Sequence, residues 1–543
     1  MAKSRHDDPD DPDERSVGEP MATSKRVPSM HSWWTTIALG VVALLPRVYV
    51  GWTMAAKPVW DGYYYHFGAT RIAAGFGYSD ELVVDGVSRW HPWCHYPVGY
   101  SGFLAGLYSL FGSGQAVAPM ANAVIGALIV MLTHRIGVMW LGFRRALVAA
   151  LLCAFSLELI LYTPVVMTEL LATLGPLLAI WLMLMFRSTK PWMGAALAGV
   201  VVGLMTLVQP QLILFGPALG ALAIKAKLRS LRWVASALLT TVVALGVVSP
   251  WTYRNCRVMD GCVFVSTNGG WNLAIGALPK ATGRFVTLRS AEGCAVVLGQ
   301  VHQDRCWRTI GLTAIRSDIV RWLELAPVKL GHTFDHASFP IGYLHETNPA
   351  AWPEAKRHRM RESLTLIHGL MMSVAAFGFV ALWSMPAHGG SSLMEKRVRD
   401  VGSRTWRRFS QAIQRAARWI WGCVNGLECL LAIGVAALVL MGWRPYNSEY
   451  WPLAVAIVIT GLVHRPKSPP VGPAGVALLT SVLLVMVTHV LFFGEDRYHV
   501  RLIPVLCLFV AAVGRPSRRA RDVSNSAATG QDCAAAEKLV TNR

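Results

Sequence analysis

Charged residues are scarce in this sequence. They make up 15% of the 543 residues, whereas soluble domains carry about 25%. This shortage excludes a soluble enzyme with a short anchor, a secreted disulfide scaffold and a disordered regulator. Hydrophobic residues instead reach 54% and form long runs, most of them bounded by Arg or Lys. The runs lack the alternation of barrel strands, so they predict an all-α polytopic membrane protein whose backbone satisfies its own hydrogen bonds in lipid.

Acidic residues are fewer than basic ones. The 31 Asp and Glu residues stand against 51 Lys and Arg residues, which gives a formal net charge of +20. In a soluble protein such an excess would suggest nucleic acid, but no nucleic-acid-binding signature is present in the sequence. The basic residues concentrate in short loops such as Arg144–Arg145 and Lys225–Arg232. This placement follows the positive-inside rule, so we expect membrane lipids, and not nucleic acid, as partners.

The sequence also lacks any CxxC pair of cysteines, which argues against a cysteine-built zinc site. One long polar segment nevertheless contains Cys256, Cys262, Cys294 and Cys306. If this segment faces an oxidising compartment, we expect one bridge between residues 256 and 262 and another between residues 294 and 306.

Placing the basic loops in the cytoplasm gives about 12 transmembrane helices, with both termini on the same side. The apolar run at 98–112 is short for a span and would invert the pattern downstream. It therefore predicts an interfacial helix inside a first outer loop at 57–114. The whole chain then divides into a disordered cytoplasmic tail at 1–32, an N-terminal membrane catalytic module at 33–251, a larger outer segment at 252–363, C-terminal membrane helices at 364–514 with a basic cytoplasmic loop at 387–426, and a cytoplasmic tail at 515–543.

The first outer loop carries the most informative polar residues. Asp61 follows the first predicted span within a few residues and precedes a run of tyrosines and a histidine that includes Tyr64 and His66. A second cluster contains His95 and Tyr96. An isolated Asp at a membrane surface is an ordinary interfacial residue. Asp61 is not isolated, because the tyrosines and histidines follow it in the same loop. The loop therefore offers a general base and stacking surfaces for a sugar.

A second carboxylate, Glu169, begins the fourth predicted span on the same outer side as Asp61. Ionisable groups in membrane spans are candidates for function, and Glu158 in the preceding span shares that status. Glu169 could equally stabilise the dipole of its own helix. Arg47 in the first span is open to two interpretations as well, because it could pair with an acid or extend to the interface.

Basic and amide side chains complete the outer cluster. Arg254 lies at the end of the seventh predicted span, and the STNGGWN turn that follows supplies Asn268 and Asn272 as a phosphate or sugar cradle. Arg497 and Tyr498 lie in the last outer loop. Several arginines beside carboxylates on one side of the membrane suggest an anionic lipid head group held next to a base.

These motifs resemble those of the GT-C glycosyltransferases, specifically bacterial family 39-like enzymes. Such enzymes are related to the protein O-mannosyltransferases and to the lipid A aminoarabinose transferase. The resemblance spans residues 33–514 and is carried, in order, by Asp61 with YYYHFGATRIAAGFGY, by HYPVGYSGFLAGLYSLFG, by Glu169, by PWTYRNCRV with STNGGWNL, and by DRYHVRLIP.

The resemblance implies a GT-C-type helical bundle and an inverting transfer of a sugar from a polyprenyl-phosphate donor. It places Asp61 and Glu169 at the two catalytic acidic positions, and Arg254 and Arg497 near the donor phosphate. Tyr64, His66, His95, Tyr96, Asn268, Asn272 and Tyr498 are the predicted substrate-binding residues. The sequence departs from the eukaryotic O-mannosyltransferases, which have an Asp-Glu pair where Asp61 is followed by Gly62.

No cofactor is required by these motifs, although some relatives bind a divalent metal. The candidate ligands would be Asp80, Glu81, His91 and His95, but their spacing fits no standard metal pattern. The acceptor would be a lipid, a glycan or a protein at the outer face of the cell inner (cytoplasmic) membrane. Two alternatives stay open, namely a lipid-linked glycan ligase or polymerase of the same fold and a polytopic lipid or solute transporter.

Overall fold

The computed structural model describes residues 30–225, 230–294, 299–383 and 472–513. The predicted N-terminal tail up to residue 29, the basic loop at 387–426, the C-terminal tail and two of the predicted C-terminal spans lie outside the described residues. The described helices are α1 Met30–Thr53, α2 Asp61–Ala73, α3 Val98–Phe111, α4 Val117–Trp140, α5 Phe143–Ala154, α6 Leu157–Leu161, α7 Glu169–Phe186, α8 Pro191–Thr206, α9 Phe215–Ala223, α10 Leu231–Val258, α11 Gly269–Ala277, α12 Gln300–Ser317, α13 Ile319–Phe334, α14 Phe339–Thr347, α15 Glu354–Trp383, α16 Gly472–Leu491 and α17 Ile503–Ala512.

Five of the described helices are long and apolar enough to cross a membrane, namely α1, α4, α7, α10 and α16. The predicted count of about 12 spans is not confirmed by this part of the chain. One reason is visible at 146–164, where a single span was expected. The chain there forms α5 and the short α6, with a break at Phe155 and Ser156 between them.

The expectation of an all-α fold was wrong in the first outer loop, which contains a β-hairpin. Strand β1 (Ser79–Val84) pairs antiparallel with β2 (Val87–Pro92). Asp85 and Gly86 form the turn, with φ of 53° and 74°. Asp-Gly is a strong signal for such a two-residue turn, because both central residues need positive φ. The apolar run at 98–112 forms a helix, α3, and its interfacial position stays a prediction.

Arg47 is fully buried in α1, and its contacts differ from both interpretations of the sequence. Its Nη1 donates to the carbonyls of Ala43 and Ala154 at 2.8 and 2.9 Å, and its Nη2 donates to the carbonyl of Cys153 at 3.2 Å. The last carbonyls of a helix have no partner within the helix. Arg47 therefore caps the end of α5 from a neighbouring helix, which allows α5 to stop in an apolar environment.

Small residues allow the apolar helices α8 and α10 to approach closely. On α8, a Cβ added at Gly199 would lie 2.7 Å from the Thr240 carbonyl oxygen of α10. Gly203, one turn further, meets the Ala244 carbonyl oxygen in the same way at 2.7 Å. This is the small-xxx-small arrangement by which helices pack in membranes, where the hydrophobic effect does not drive their association.

The outer segment folds as α11 to α14 after α10 ends at Val258. Both disulfides expected from the sequence are present, joining Cys256 to Cys262 and Cys294 to Cys306. Trp307 of α12 is buried against Trp271 of α11, with ring centroids 5.5 Å apart. The segment thus has a small core of its own, and its N-terminal part is tied to the end of α10.

Replacing Arg47 with Met should lower the midpoint of thermal unfolding in detergent. The substitution leaves the helix-end carbonyls without a donor, and each buried unsatisfied acceptor costs about 1–3 kcal/mol. Arg144→Met is the matched control, since Arg144 lies exposed at the start of α5. Equal midpoints for the two variants would contradict the capping role.

Candidate active site

Asp61 is the first residue of α2, where the helix dipole favours a negative charge. Arg497 Nη1 donates to its Oδ2 at 2.7 Å, and the Tyr96 hydroxyl donates to its Oδ1 at 2.8 Å. Burial alone would raise the pKa of this carboxyl. The charge of Arg497 and the two hydrogen bonds outweigh burial, so the pKa of Asp61 lies below its usual value of 3.8. The group is therefore a carboxylate at neutral pH.

The backbone around Asp61 is tightly constrained. Trp60 has a φ of 52°, a conformation that costs a non-glycine residue about 1–3 kcal/mol. Its ring packs edge-on against Phe339 and Tyr343 of α14, which holds it there. A Cβ at Gly62 would lie 2.6 Å from the Val166 carbonyl oxygen. This close approach explains why glycine, and no glutamate, follows Asp61.

Arg497 lies in a 3-10 helix, Asp496–Leu502, between α16 and α17. In addition to Asp61, its Nε lies 2.7 Å from Glu495 Oε2, and its Nη2 donates to the Tyr498 hydroxyl at 3.1 Å. The neighbouring Asp496 accepts hydrogen bonds from the backbone N–H groups of Ser338 and Phe339. The 3-10 helix is thereby anchored to the start of α14, with the guanidinium directed at Asp61.

Glu169 begins α7 and is 2% exposed. It interacts electrostatically with Arg497, Arg501 and Asp61, so the structure brings both predicted acidic residues to one region. Its Oε2 has no hydrogen-bond partner among the described residues. Such an unsatisfied buried oxygen is costly unless a ligand or water supplies a donor.

Arg501 forms a second basic centre next to Glu169. Its Nη1 donates to Gln209 Oε1, and its Nη2 lies 3.0 Å from His489 Nε2. Gln209 in turn donates to the Thr168 hydroxyl at 3.0 Å. Arg501 also lines an apolar cavity formed by α7, α9, α16, α17 and the 3-10 helices at 210–214 and 496–502. The other described residues that line this cavity are uncharged.

Aromatic rings surround the carboxylate. Tyr64 is 44% exposed, and its ring stacks on those of Trp93 and Tyr96 with centroids 5.9 and 5.4 Å away. His95 packs edge-on against Tyr96 and Trp271. Burial lowers the pKa of His95 to about 4, despite the nearby charge of Asp61, so the imidazole is neutral at pH 7. These rings offer the kind of surface on which a sugar stacks.

The STNGGWN turn lies alongside this aromatic cluster. The Thr267 N–H donates to the Cys94 carbonyl at 3.0 Å, which joins the turn to the residue before His95. Asn268 precedes α11, and its side-chain oxygen accepts from the Ser266 hydroxyl at 2.8 Å. Asn272 lies one turn further, in α11. Both asparagines are half-buried, and their substrate-binding role stays a prediction.

Two predicted site residues have contacts of another kind. Arg254 donates to the carbonyls of Trp93 at 3.1 Å and Tyr78 at 2.6 Å, so its guanidinium fastens the first outer loop to α10. His66 Nδ1 lies 2.8 Å from the Tyr108 hydroxyl, a contact between α2 and α3. These hydrogen bonds favour positioning roles for Arg254 and His66 over direct contact with a donor phosphate or sugar.

The candidate metal ligands of the first outer loop do not converge. Asp80 and His91 face each other across the hairpin, with Oδ1 and Nδ1 2.7 Å apart. Glu81 instead accepts from Ser88, and His95 lies among the aromatic rings. These four residues therefore do not fit a divalent metal.

Sequence reasoning missed Glu495 and Gln209. Glu495 directly precedes the DRYHVR motif and shares Arg497 with Asp61. Its position beside an arginine-rich motif was the available signal. Gln209 is a buried polar residue between two apolar runs, and the cost of such a residue in a membrane is itself an indication of function.

The comparison with protein families agrees with the motifs. The family described as dolichyl-phosphate-mannose-protein mannosyltransferase matches residues 95–253. This match confirms the resemblance to that group of glycosyltransferases, and it covers His95, Tyr96 and Glu169. No curated protein sequence matches the chain significantly.

Solved structures of two membrane transferases are also similar to the chain. The oligosaccharyltransferase AglB from Archaeoglobus fulgidus, in complex with an inhibitory peptide and a dolichol-phosphate, has a TM-score of 0.36 at 12% identity over 91% of this chain and 58% of that one. ArnT from Cupriavidus metallidurans, bound to undecaprenyl phosphate, has a TM-score of 0.32 at 16% identity over 84% of this chain and 79% of that one. Scores this low support no argument about the site.

Replacing Gly62 with Ala should destabilise the protein by about 1–3 kcal/mol, because the new Cβ would collide with the Val166 carbonyl. Gly106→Ala in α3 is the matched control, since a Cβ there meets nothing within 4 Å. It should be neutral or gain up to about 1 kcal/mol from helix propensity. Thermal unfolding of both variants in detergent measures the difference, and an equally stable Gly62→Ala variant would contradict the close approach.

The Asp61–Arg497 ion pair should stabilise the fold at neutral pH and lose its effect in acid. A carboxyl whose pKa is lower in the folded state contributes stability above its unfolded pKa. That contribution disappears as pH falls through the folded value, which lies below 3.8. The difference in unfolding midpoint between the protein and Asp61→Asn should therefore be largest near pH 7 and shrink below pH 4. A difference independent of pH would rule out this linkage.

Proposed function

We propose that this chain is an integral membrane glycosyltransferase that moves a sugar from a polyprenyl-phosphate donor to an acceptor hydroxyl. The observation that carries the proposal is the ion pair of Asp61 and Arg497, held by Tyr96 and placed beside the buried Glu169. The pair combines a base with a cation for a leaving phosphate. The family match over residues 95–253 supports the same class of reaction.

In the proposed reaction, the acceptor oxygen attacks the anomeric carbon while Asp61 takes the hydroxyl proton. The bond between the anomeric carbon and the phosphate oxygen breaks, and the lipid phosphate leaves with the electron pair. The new glycosidic bond forms on the opposite face, so the configuration inverts. A positioned general base typically contributes about 10²–10⁴ in rate. Glu169 would orient the acceptor or stabilise positive charge at the anomeric carbon.

Arg497 links donor binding to the strength of the base. Its Nη1 donates a hydrogen bond to Asp61 Oδ2. A phosphate that takes this guanidinium removes a stabilising charge from the Asp61 carboxylate, and the pKa of Asp61 then rises. The base becomes stronger at the moment when the donor is in place. The same guanidinium neutralises charge on the leaving phosphate, an electrostatic contribution that is often the largest in catalysis.

The apolar cavity beside Arg501 is small and would take only the end of a lipid-linked donor next to its phosphate. Its walls come largely from helices α7 and α16, and Arg501, which interacts electrostatically with Glu169, is among its lining residues. A polyprenyl chain needs apolar walls, and its phosphate needs a cation at the polar end. The stacked rings of Tyr64 and Tyr96 supply a surface for the sugar. We place this site at the outer face of the cell inner membrane.

The domain assignment follows from this proposal. The N-terminal module at 33–251 would carry both acidic residues, and the C-terminal helices would supply Arg497 and Arg501. The outer segment at 252–363 would cover the site, since α14 contacts Trp60 and Arg497 through Phe339.

Asp61→Asn should abolish sugar transfer by the purified protein, because the amide cannot accept the proton. The assay uses synthetic polyprenyl-phosphate sugars with radiolabelled sugar and detects label in the acceptor or in water. Asp85→Asn is the matched control, since Asp85 lies in the hairpin turn at positive φ, a conformation that asparagine adopts readily. It should retain full activity.

Full transfer activity in a folded Asp61→Asn variant would contradict the assignment of the base. Transfer only from polyprenyl diphosphates carrying whole glycans would favour a ligase or polymerase. Movement of intact lipid across proteoliposomes without transfer would favour a transporter.

A further inference from the structure

A buried cluster of three metal-ligating side chains lies outside the site described above. It contains Glu158 of α6, His368 of α15 and His499 of the 3-10 helix at 496–502. Each residue offers one ligand atom, and these atoms lie within 4.8 Å of one another. The three residues are 5%, 1% and 0% exposed. Three distant segments of the chain therefore bring two imidazoles and a carboxylate together away from solvent.

The backbone fixes which nitrogen of each imidazole is available. His499 Nδ1 lies 2.8 Å from the Thr333 carbonyl oxygen, and His368 Nε2 lies 2.9 Å from the Phe334 carbonyl oxygen. A carbonyl only accepts hydrogen bonds, so both of these nitrogens carry a hydrogen. In the neutral rings, His499 Nε2 and His368 Nδ1 are then left with a lone pair. Metal-ligating histidines characteristically donate their other N–H to a backbone carbonyl in this way.

A metal-free cluster accounts for only part of this arrangement. His499 Nε2 lies 2.8 Å from Glu158 Oε1, and a protonated His499 would make an ion pair there. His368 would still be unexplained. Its Nδ1 is buried without a hydrogen-bond partner among the described residues, although its ring centroid is only 3.9 Å from that of His499. A buried unsatisfied acceptor costs about 1–3 kcal/mol.

We propose that Glu158, His368 and His499 bind a divalent transition metal ion of the Zn²⁺ class. Imidazole nitrogen and carboxylate oxygen are ligands that Zn²⁺ accepts at about 2.0–2.2 Å in tetrahedral geometry. That geometry separates ligand atoms by about 3.4 Å, so a small adjustment of the 2.8 Å contact would admit the ion. The ion would satisfy His368 Nδ1 and leave a fourth position for water.

The metal would act by positioning Arg497. His499 follows Arg497 closely in the same 3-10 helix, and its ring contacts Glu158 of α6 and His368 of α15. Binding would fasten the 3-10 helix at a second point, in addition to the Asp496 contacts with Ser338 and Phe339. Since the metal binds the folded protein only, it should stabilise the fold as well.

The test measures metal content of the full-length protein purified in detergent, loaded with Zn²⁺ and then freed of loosely bound ions. We expect stoichiometric Zn²⁺ by mass spectrometry, and Co²⁺ loading should give the visible absorption of a tetrahedral site. His368→Ala and Glu158→Gln should lower the affinity for Zn²⁺ by more than about 100-fold, beyond the loss caused by removing an outer partner. His358→Ala is the matched control, because His358 lies exposed on the same helix α15 and should retain the metal.

Absence of bound Zn²⁺ in the loaded wild-type protein would overturn the proposal in favour of the Glu158–His499 ion pair. Unchanged binding in His368→Ala would overturn it as well. If that variant fails to fold, the wild-type protein still decides the question. Zn²⁺ should raise its unfolding midpoint and a chelator should lower it, and a midpoint insensitive to both would refute the site.

Discussion

The hydrogen-bonded ion pair of Asp61 and Arg497 is the interaction around which the candidate site is arranged. It joins the start of α2 to the 3-10 helix between α16 and α17, and Tyr96 from the first outer loop completes the coordination of the carboxylate. Neither charged group could lie so close to apolar helices alone, because an unpaired buried charge is strongly unfavourable. Each partner therefore compensates the charge of the other and lowers the free-energy cost of burying it. The position of the pair also defines the position of the candidate site.

The surroundings of the pair divide into rigid supports and available groups. Trp60, Gly62 and Asp496 hold the backbone on either side through ring packing, close approach and hydrogen bonds. Arg254 does the same for the first outer loop. Glu169 Oε2 has no hydrogen-bond partner among the described residues, and the ring of Tyr64 is partly exposed to solvent. A site with fixed supports and a few unsatisfied groups is preorganised for a ligand, which lowers the cost of ordering on binding.

The sequence predicts much of this arrangement because membrane residues follow strict rules. Asp61 and Glu169 stand out since charge is costly near lipid, and both disulfide pairings follow from spacing in one polar segment. The capping role of Arg47 could not be read from the sequence, since it depends on where α5 ends in space. The cluster of Glu158 with His368 and His499 was equally hidden, because its members come from remote segments. The β-hairpin was not predicted, although Asp85-Gly86 is a strong sequence signal for its two-residue turn.

The ion pair also constrains the order in which the protein matures. Its two partners are 436 positions apart in the chain. During synthesis, the first outer loop is made long before the segment that carries Arg497, so a nascent chain holds an incomplete reaction centre. The ion pair can form only after the segment at 496–502 has been made and has reached the start of α2. A chain that stops before residue 497 would therefore lack the ion pair on which the proposed function depends.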